Sequence, residues 1–106
     1  MTKRIDPEET LVKLFGSVSR ARILSLLVAH AGRSFSQREI MYETGLSLRP
    51  VQRELMNLLA LGIIGKQMAN NRVYYQINTT SLLFKPLQKI CNLVFDEGES
   101  LSPLKR

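Results

Sequence analysis

A chain of 106 residues has room for one domain with a modest core, and 44% hydrophobic with 23% charged residues excludes a disordered or membrane-embedded chain. The formal charge of +6 and a pI near 9.9 favour a polyanionic partner. One cysteine cannot form an internal disulfide, one histidine supports no zinc quartet, and no apolar run reaches the roughly 18 residues of a membrane span, so a cytoplasmic protein is expected.

The charge is unevenly spread. Asp6, Glu8, Glu9, Asp96, Glu97 and Glu99 lie near the ends, whereas between Thr10 and Cys91 eleven lysines and arginines stand against Glu39, Glu43 and Glu54, a balance of +8. The body is basic and the ends dilute it. The opening MTKRIDPEET carries no apolar signal region, and residues 1–6 are expected to be flexible.

Pro7 followed by Glu8 and Glu9 predicts a first helical turn, with proline where its missing N–H costs nothing and acids near the positive end of the helix dipole. Leu11, Val12, Leu14 and Phe15 give this helix an apolar side, and Gly16 stops it. Ser17-Val18-Ser19 offers capping hydroxyls for a second helix, on which Ala21, Ile23, Leu24, Leu27, Val28 and Ala31 recur at helical spacing up to Gly32. Arg20 and Arg22 fall in its first turn, either as solvated cations or as phosphate contacts. Phe35 is expected to enter the core through a short strand that pairs with a later hairpin.

Ser36-Gln37-Arg38-Glu39 has the pattern of a capping box, opening a short third helix that continues through Ile40 and Met41 and turns at Gly45. Ser47 is the expected cap of a fourth helix, whose apolar side holds Leu48, Val51, Leu55, Leu58 and Leu59. The opposite side carries Arg49, Gln52, Arg53 and Asn57 near the helix start. These side chains suit base edges in a DNA major groove: arginine donates two bonds to guanine O6 and N7, and glutamine or asparagine brackets adenine N6 and N7. Pro50 is tolerated in a first turn.

Gly62 ends that helix. Residues 63–68 and 72–77 alternate as strands around Ala69-Asn70-Asn71, a tip whose asparagines tolerate positive φ. Lys66 and Arg72 flank the tip. Val73, Tyr75 and Ile77 should share one face, leaving Tyr74 and Gln76 on the other. After the polar break 78–81 comes a final helix rich in apolar residues, including Leu83, Leu87, Ile90, Cys91 and Val94. Pro86 either belongs to its first turn or separates a leading turn from its body. So wide an apolar girth asks for a partner, most simply a second copy across a two-fold axis. Residues 98–106 are expected to be a disordered tail.

The stretches LFGSVSRARILSLLV, SQREIMYETGLSLRPVQRELMNLLALGII and NRVYYQIN together resemble the winged helix-turn-helix transcription regulators of the ArsR-like class, across roughly residues 10 to 95. The resemblance implies a mainly α fold with a small β-hairpin, ordered α-α-α-α-β-β-α over residues 7–97. It also implies a homodimer joined through its terminal helices. Residues 47–57 match the recognition helix and 66–72 the wing tip. The DNA-contact set is then Arg49, Gln52, Arg53 and Asn57 at base edges. Arg38, Lys66, Asn70, Asn71 and Arg72 fall at the backbone or minor groove, and Ser36 and Ser47 at phosphates beside helix N-termini. The dimer interface takes Leu83, Leu87, Ile90, Cys91, Val94 and Leu11.

The paired cysteines of metal-responsive members are missing: SQREIMYETG has none, and Cys91 stands alone. No metal, cofactor or small-molecule substrate is expected. Enzyme chemistry is disfavoured too, with no glycine-rich phosphate loop, no Ser/His/Asp set and no carboxylate pair in a predicted cleft. The rival function is a winged-helix protein-interaction or adaptor module, using the apolar last helix and leaving the basic side incidental. RNA binding is weaker, because aromatic residues at 7% provide few stacking platforms.

Overall fold

The computed structural model describes residues 6–96. The tail 98–106, and residues 1–5 of the expected flexible start, lie outside the described residues. Asp6 itself is the N-cap of α1 (Pro7–Phe15), its carboxylate accepting from the Glu9 N–H at 3.2 Å. The other elements are α2 (Val18–Ala29), β1 (Phe35–Ser36), α3 (Gln37–Thr44), α4 (Leu48–Ala60), β2 (Ile64–Ala69), β3 (Arg72–Ile77) and α5 (Phe84–Asp96).

The punctuation in the sequence sets most of these bounds. Ser17 caps α2 through the Arg20 N–H at 3.0 Å. This helix ends three residues before Gly32, so Ala31 lies beyond it; the Leu26 carbonyl takes the His30 N–H and also has His30 Nδ1 at 3.2 Å. The capping box of α3 is complete, with Ser36 Oγ accepting from the Glu39 N–H at 3.2 Å and the Ser36 N–H donating to Glu39 Oε1 at 2.8 Å. Gly45, at φ 72°, gives the left-handed turn that a side chain would strain. Pro86 is the third residue of α5, where a helix N–H has no partner within the helix, so it belongs to the first turn.

The three strands form one antiparallel sheet in the order β1-β3-β2. Phe35 pairs with Tyr75 and Ser36 with Tyr74, as the short strand at Phe35 requires. Ala69 pairs with Arg72, so the hairpin turns on Asn70 and Asn71 alone, at φ 53° and 64°. Two successive positive φ values mark the turn whose twist suits a hairpin. The tip is therefore two residues, one fewer than the sequence suggests.

The helices and the root of the sheet close on one core of Leu11, Ile23, Leu27, Phe35, Ile40, Val51, Leu55, Leu58 and Ile77, all buried. Cys91 and Val94 of α5 join it. Of the residues expected at a dimer interface, Leu11, Cys91 and Val94 are thus occupied by packing within the chain, Leu87 and Ile90 are half-buried, and Leu83 is 46% exposed.

Candidate nucleic-acid interface

Helix α4 is anchored from below. Val51, Leu55 and Leu58 lie in the core at the 4 and 3 spacing of one helix side. Leu48, expected on that side, is instead 43% exposed. The outward stripe carries Arg49, Gln52, Arg53 and Asn57, all exposed. The backbone of Ser47 adopts the N-cap conformation, but its side chain makes no capping hydrogen bond.

Helix α3 meets α4 through a hydrogen-bonded corner. The Gly45 N–H closes on the Met41 carbonyl at 2.9 Å, Thr44 Oγ1 donates to the Ile40 carbonyl at 2.6 Å, and Thr44 Oγ1 accepts from the Leu46 N–H at 3.3 Å. Thr44 is buried, so the corner is a fixed part of the core rather than a loose loop. Arg38 projects from α3, and Tyr42 one turn further on is 85% exposed.

The cations divide into two groups. Lys13 lies 4.0 Å from Glu9, Arg20 Nε lies 2.6 Å from Glu54 Oε2, and Arg22 Nε lies 3.0 Å from Glu8 Oε2. Arg20 and Arg22 thus each have a carboxylate partner within the protein, Arg22 in an exposed pair and Arg20 in a pair whose carboxylate is buried. Among the described residues, Arg33, Arg38, Arg49, Arg53, Lys66, Arg72, Lys85 and Lys89 have no carboxylate partner, Arg33 standing instead over the Phe35 ring. All eight are exposed, five of them on α3, α4 and the hairpin.

The hairpin does not bring its two cations to one face. Lys66 pairs across from Tyr75, so it stands on the side of the sheet that further down packs on the core. Arg72 alternates with Tyr74 and Gln76 on the other side. Asn70 and Asn71 form the exposed tip between them. Ser36 lies at the start of α3 with its hydroxyl already engaged in the capping box.

Two exposed residues escaped the sequence reading. Met56 is 71% exposed and sits in the α4 stripe, three residues after Arg53 and four after Gln52. Tyr42 follows Arg38 by four. Helical spacing from the basic residues is the signal that finds both. Away from this face, an open groove of about 530 Å³ runs past Arg22, Leu26, Thr44, Cys91 and Phe95, but its guanidinium already binds Glu8 and the Thr44 carbonyl. Among the described residues no group of three or more metal-binding side chains comes together, and no helix is long and apolar enough to cross a membrane.

No family model and no curated protein matches the sequence. Among solved structures the chain is similar to the crystal structure of Sso10a-2, described as a DNA-binding protein from Sulfolobus solfataricus. The TM-score is 0.56 at 19% identity, over 76% of this chain and 81% of that one. At that identity the likeness concerns the fold. The fold is a winged helix-turn-helix. In that frame α3 and α4 are the helix-turn-helix, α4 is its second helix, and β2 and β3 are the wing.

Proposed function

We propose that this domain binds double-stranded DNA in a sequence-specific manner and regulates transcription in the cytoplasm, as a homodimeric repressor of ArsR-like type. The observation that carries the reading is the side of α4 bearing Arg49, Gln52, Arg53 and Asn57, exposed and without carboxylate partners among the described residues, while the other side is fixed in the core. A helix held so firmly presents its donors at a defined angle, which bidentate contact with base edges requires. The DNA binding stated for the structural neighbour Sso10a-2 agrees with this reading.

In this arrangement Arg49, Gln52, Arg53 and Asn57 read the major groove. Arg38 and the uncapped start of α4 at Ser47 meet phosphates. The wing tip, with Lys66 on one side and Arg72 on the other, straddles the adjoining backbone or minor groove. The exposed Leu83 and Phe95 supply apolar surface for a second copy. The same surface supports the second reading, a protein-interaction module.

Fluorescence anisotropy of a labelled duplex from the gene's own upstream region, beside a scrambled duplex and across a salt series, tests the proposal. Selective binding that tightens as salt falls, and that disappears with Arg49 and Arg53 replaced by alanine, is expected. Absence of binding at low salt would overturn it in favour of the interaction module.

A further inference from the structure

Glu54 is a carboxylate on α4 that is only 4% exposed. Among the described residues its charged partner is Arg20, about one-third exposed and 34 positions earlier in the first turn of α2, through Nε at 2.6 Å and Nη2 at 3.4 Å. Two residues further along α2, Arg22 Nη1 donates to the Thr44 carbonyl at 3.2 Å, at the corner joining α3 to α4. The first turn of α2 thus grips both ends of the question of where α4 lies: its middle through Arg20, and its approach through Arg22.

An ion pair with a buried carboxylate and a half-buried guanidinium is a poor source of stability, because desolvation, chiefly of the carboxylate, consumes much of the attraction. Well-packed apolar side chains of similar size often serve as well. What apolar side chains lack is direction. Leucine and methionine tolerate a range of helix tilts at nearly equal packing energy, whereas a guanidinium–carboxylate pair is satisfied in one relative placement. Helix α4 also carries the exposed donors whose angle matters.

Resting on the DNA-binding reading above, we infer that Arg20 and Glu54 are a positioning pair, fixing the tilt of α4 against α2 so that its outward side chains meet base edges in register. DNA selectivity depends on the pair, and folding stability does not. Arg20 acts through α4 and does not itself touch DNA.

The test is the double variant Arg20→Met with Glu54→Leu, beside the single variant Glu54→Gln, which keeps an oxygen to accept from Arg20. Three readouts are compared in the full chain: thermal midpoint, the ratio of affinities for a duplex selected from a random pool and a scrambled one, and the α2–α4 angle from residual dipolar couplings. The double variant should melt at or above the wild-type midpoint, lose about tenfold or more in selectivity, and show a changed angle. Glu54→Gln should recover most of that selectivity. Selectivity kept within about twofold in the double variant would overturn the inference, as would an unchanged angle. Should the wild type bind no duplex, the DNA reading itself falls, while the angle still decides whether the pair positions α4.

Discussion

Helices α4 and α5 are each 13 residues long and each turns one side to the same core, but they leave different chemistry outside. On α4 Val51, Leu55 and Leu58 lie inside and Arg49, Gln52, Arg53 and Asn57 outside. Met56 is an apolar side chain among the outer polar ones, and Glu54 a carboxylate among the inner apolar ones. On α5 the inside is filled by Phe84, Cys91 and Val94, yet Phe95 remains 50% exposed, and Leu83 just ahead of the helix is open as well. A helix whose outside is basic and polar can stand in water indefinitely while offering donors to an anion. One that leaves large apolar groups outside gains by covering them. The difference teaches that one fold can leave two kinds of surface open, basic and polar on α4 and partly apolar at the ends of α5.

The strongest way to break the contrast within α4 is to cut each side in turn. Leu55→Ala removes a fully buried side chain and should cost about 2–5 kcal/mol of stability in urea denaturation, while Arg49→Ala should change it by less than about 0.5 kcal/mol. Equal losses from the two would mean that Arg49 is structural. Next in size, Arg53→Ala should weaken the preferred duplex by about 1–3 kcal/mol and relax discrimination at one base pair, as read by competition titration. A loss equal on every sequence would make Arg53 a phosphate contact instead.

On the apolar surface, Leu83→Glu together with Phe95→Glu should turn a dimer into a monomer in sedimentation at micromolar concentration, with stability of the folded chain altered by less than about 0.5 kcal/mol. A wild-type monomer under those conditions would remove that surface from assembly altogether. The smallest expected effect concerns Cys91. Burial raises its thiol above the ordinary 9.0, so the folded chain holds this proton where the unfolded chain begins to release it. The contribution to stability is therefore full below pH 9 and declines as pH rises through the folded value. Denaturation curves at rising pH should fall more steeply for the wild type than for Cys91→Ala.

Much of this architecture was legible in the sequence because its signals are local. A serine followed three residues later by a glutamate, a glycine after a short helix, and paired asparagines between alternating strands each act within a few residues of themselves. What stayed hidden depends on distant partners. Glu54 read only as one acid in a basic body, and Arg20 and Arg22 as surface cations, because their partners lie 34, 14 and 22 positions away along the chain. The opposed facing of Lys66 and Arg72 needed the register of the hairpin, in which Ala69 belongs to the strand. Likewise the apolar girth of α5 is visible in the sequence, but only packing decides that Cys91 and Val94 are used within the chain and Phe95 is not.

The two-residue strand β1 has a consequence for how the domain assembles. Its pairing of Phe35 with Tyr75 joins points 40 residues apart, whereas the helix pairs α1–α2 and α3–α4 and the β2–β3 hairpin are built from near neighbours. Contacts of low sequence separation close first and cheaply, and long loops close against entropy. Strand β1 is therefore a latch that shuts after the hairpin, so the wing can form before it is tied to the helix-turn-helix. The docking of α5 on α1 and α2 joins points still further apart in the chain. In native-state hydrogen exchange, the amides of this pairing should report the opening of that latch as a sub-global event distinct from unfolding of the helical core.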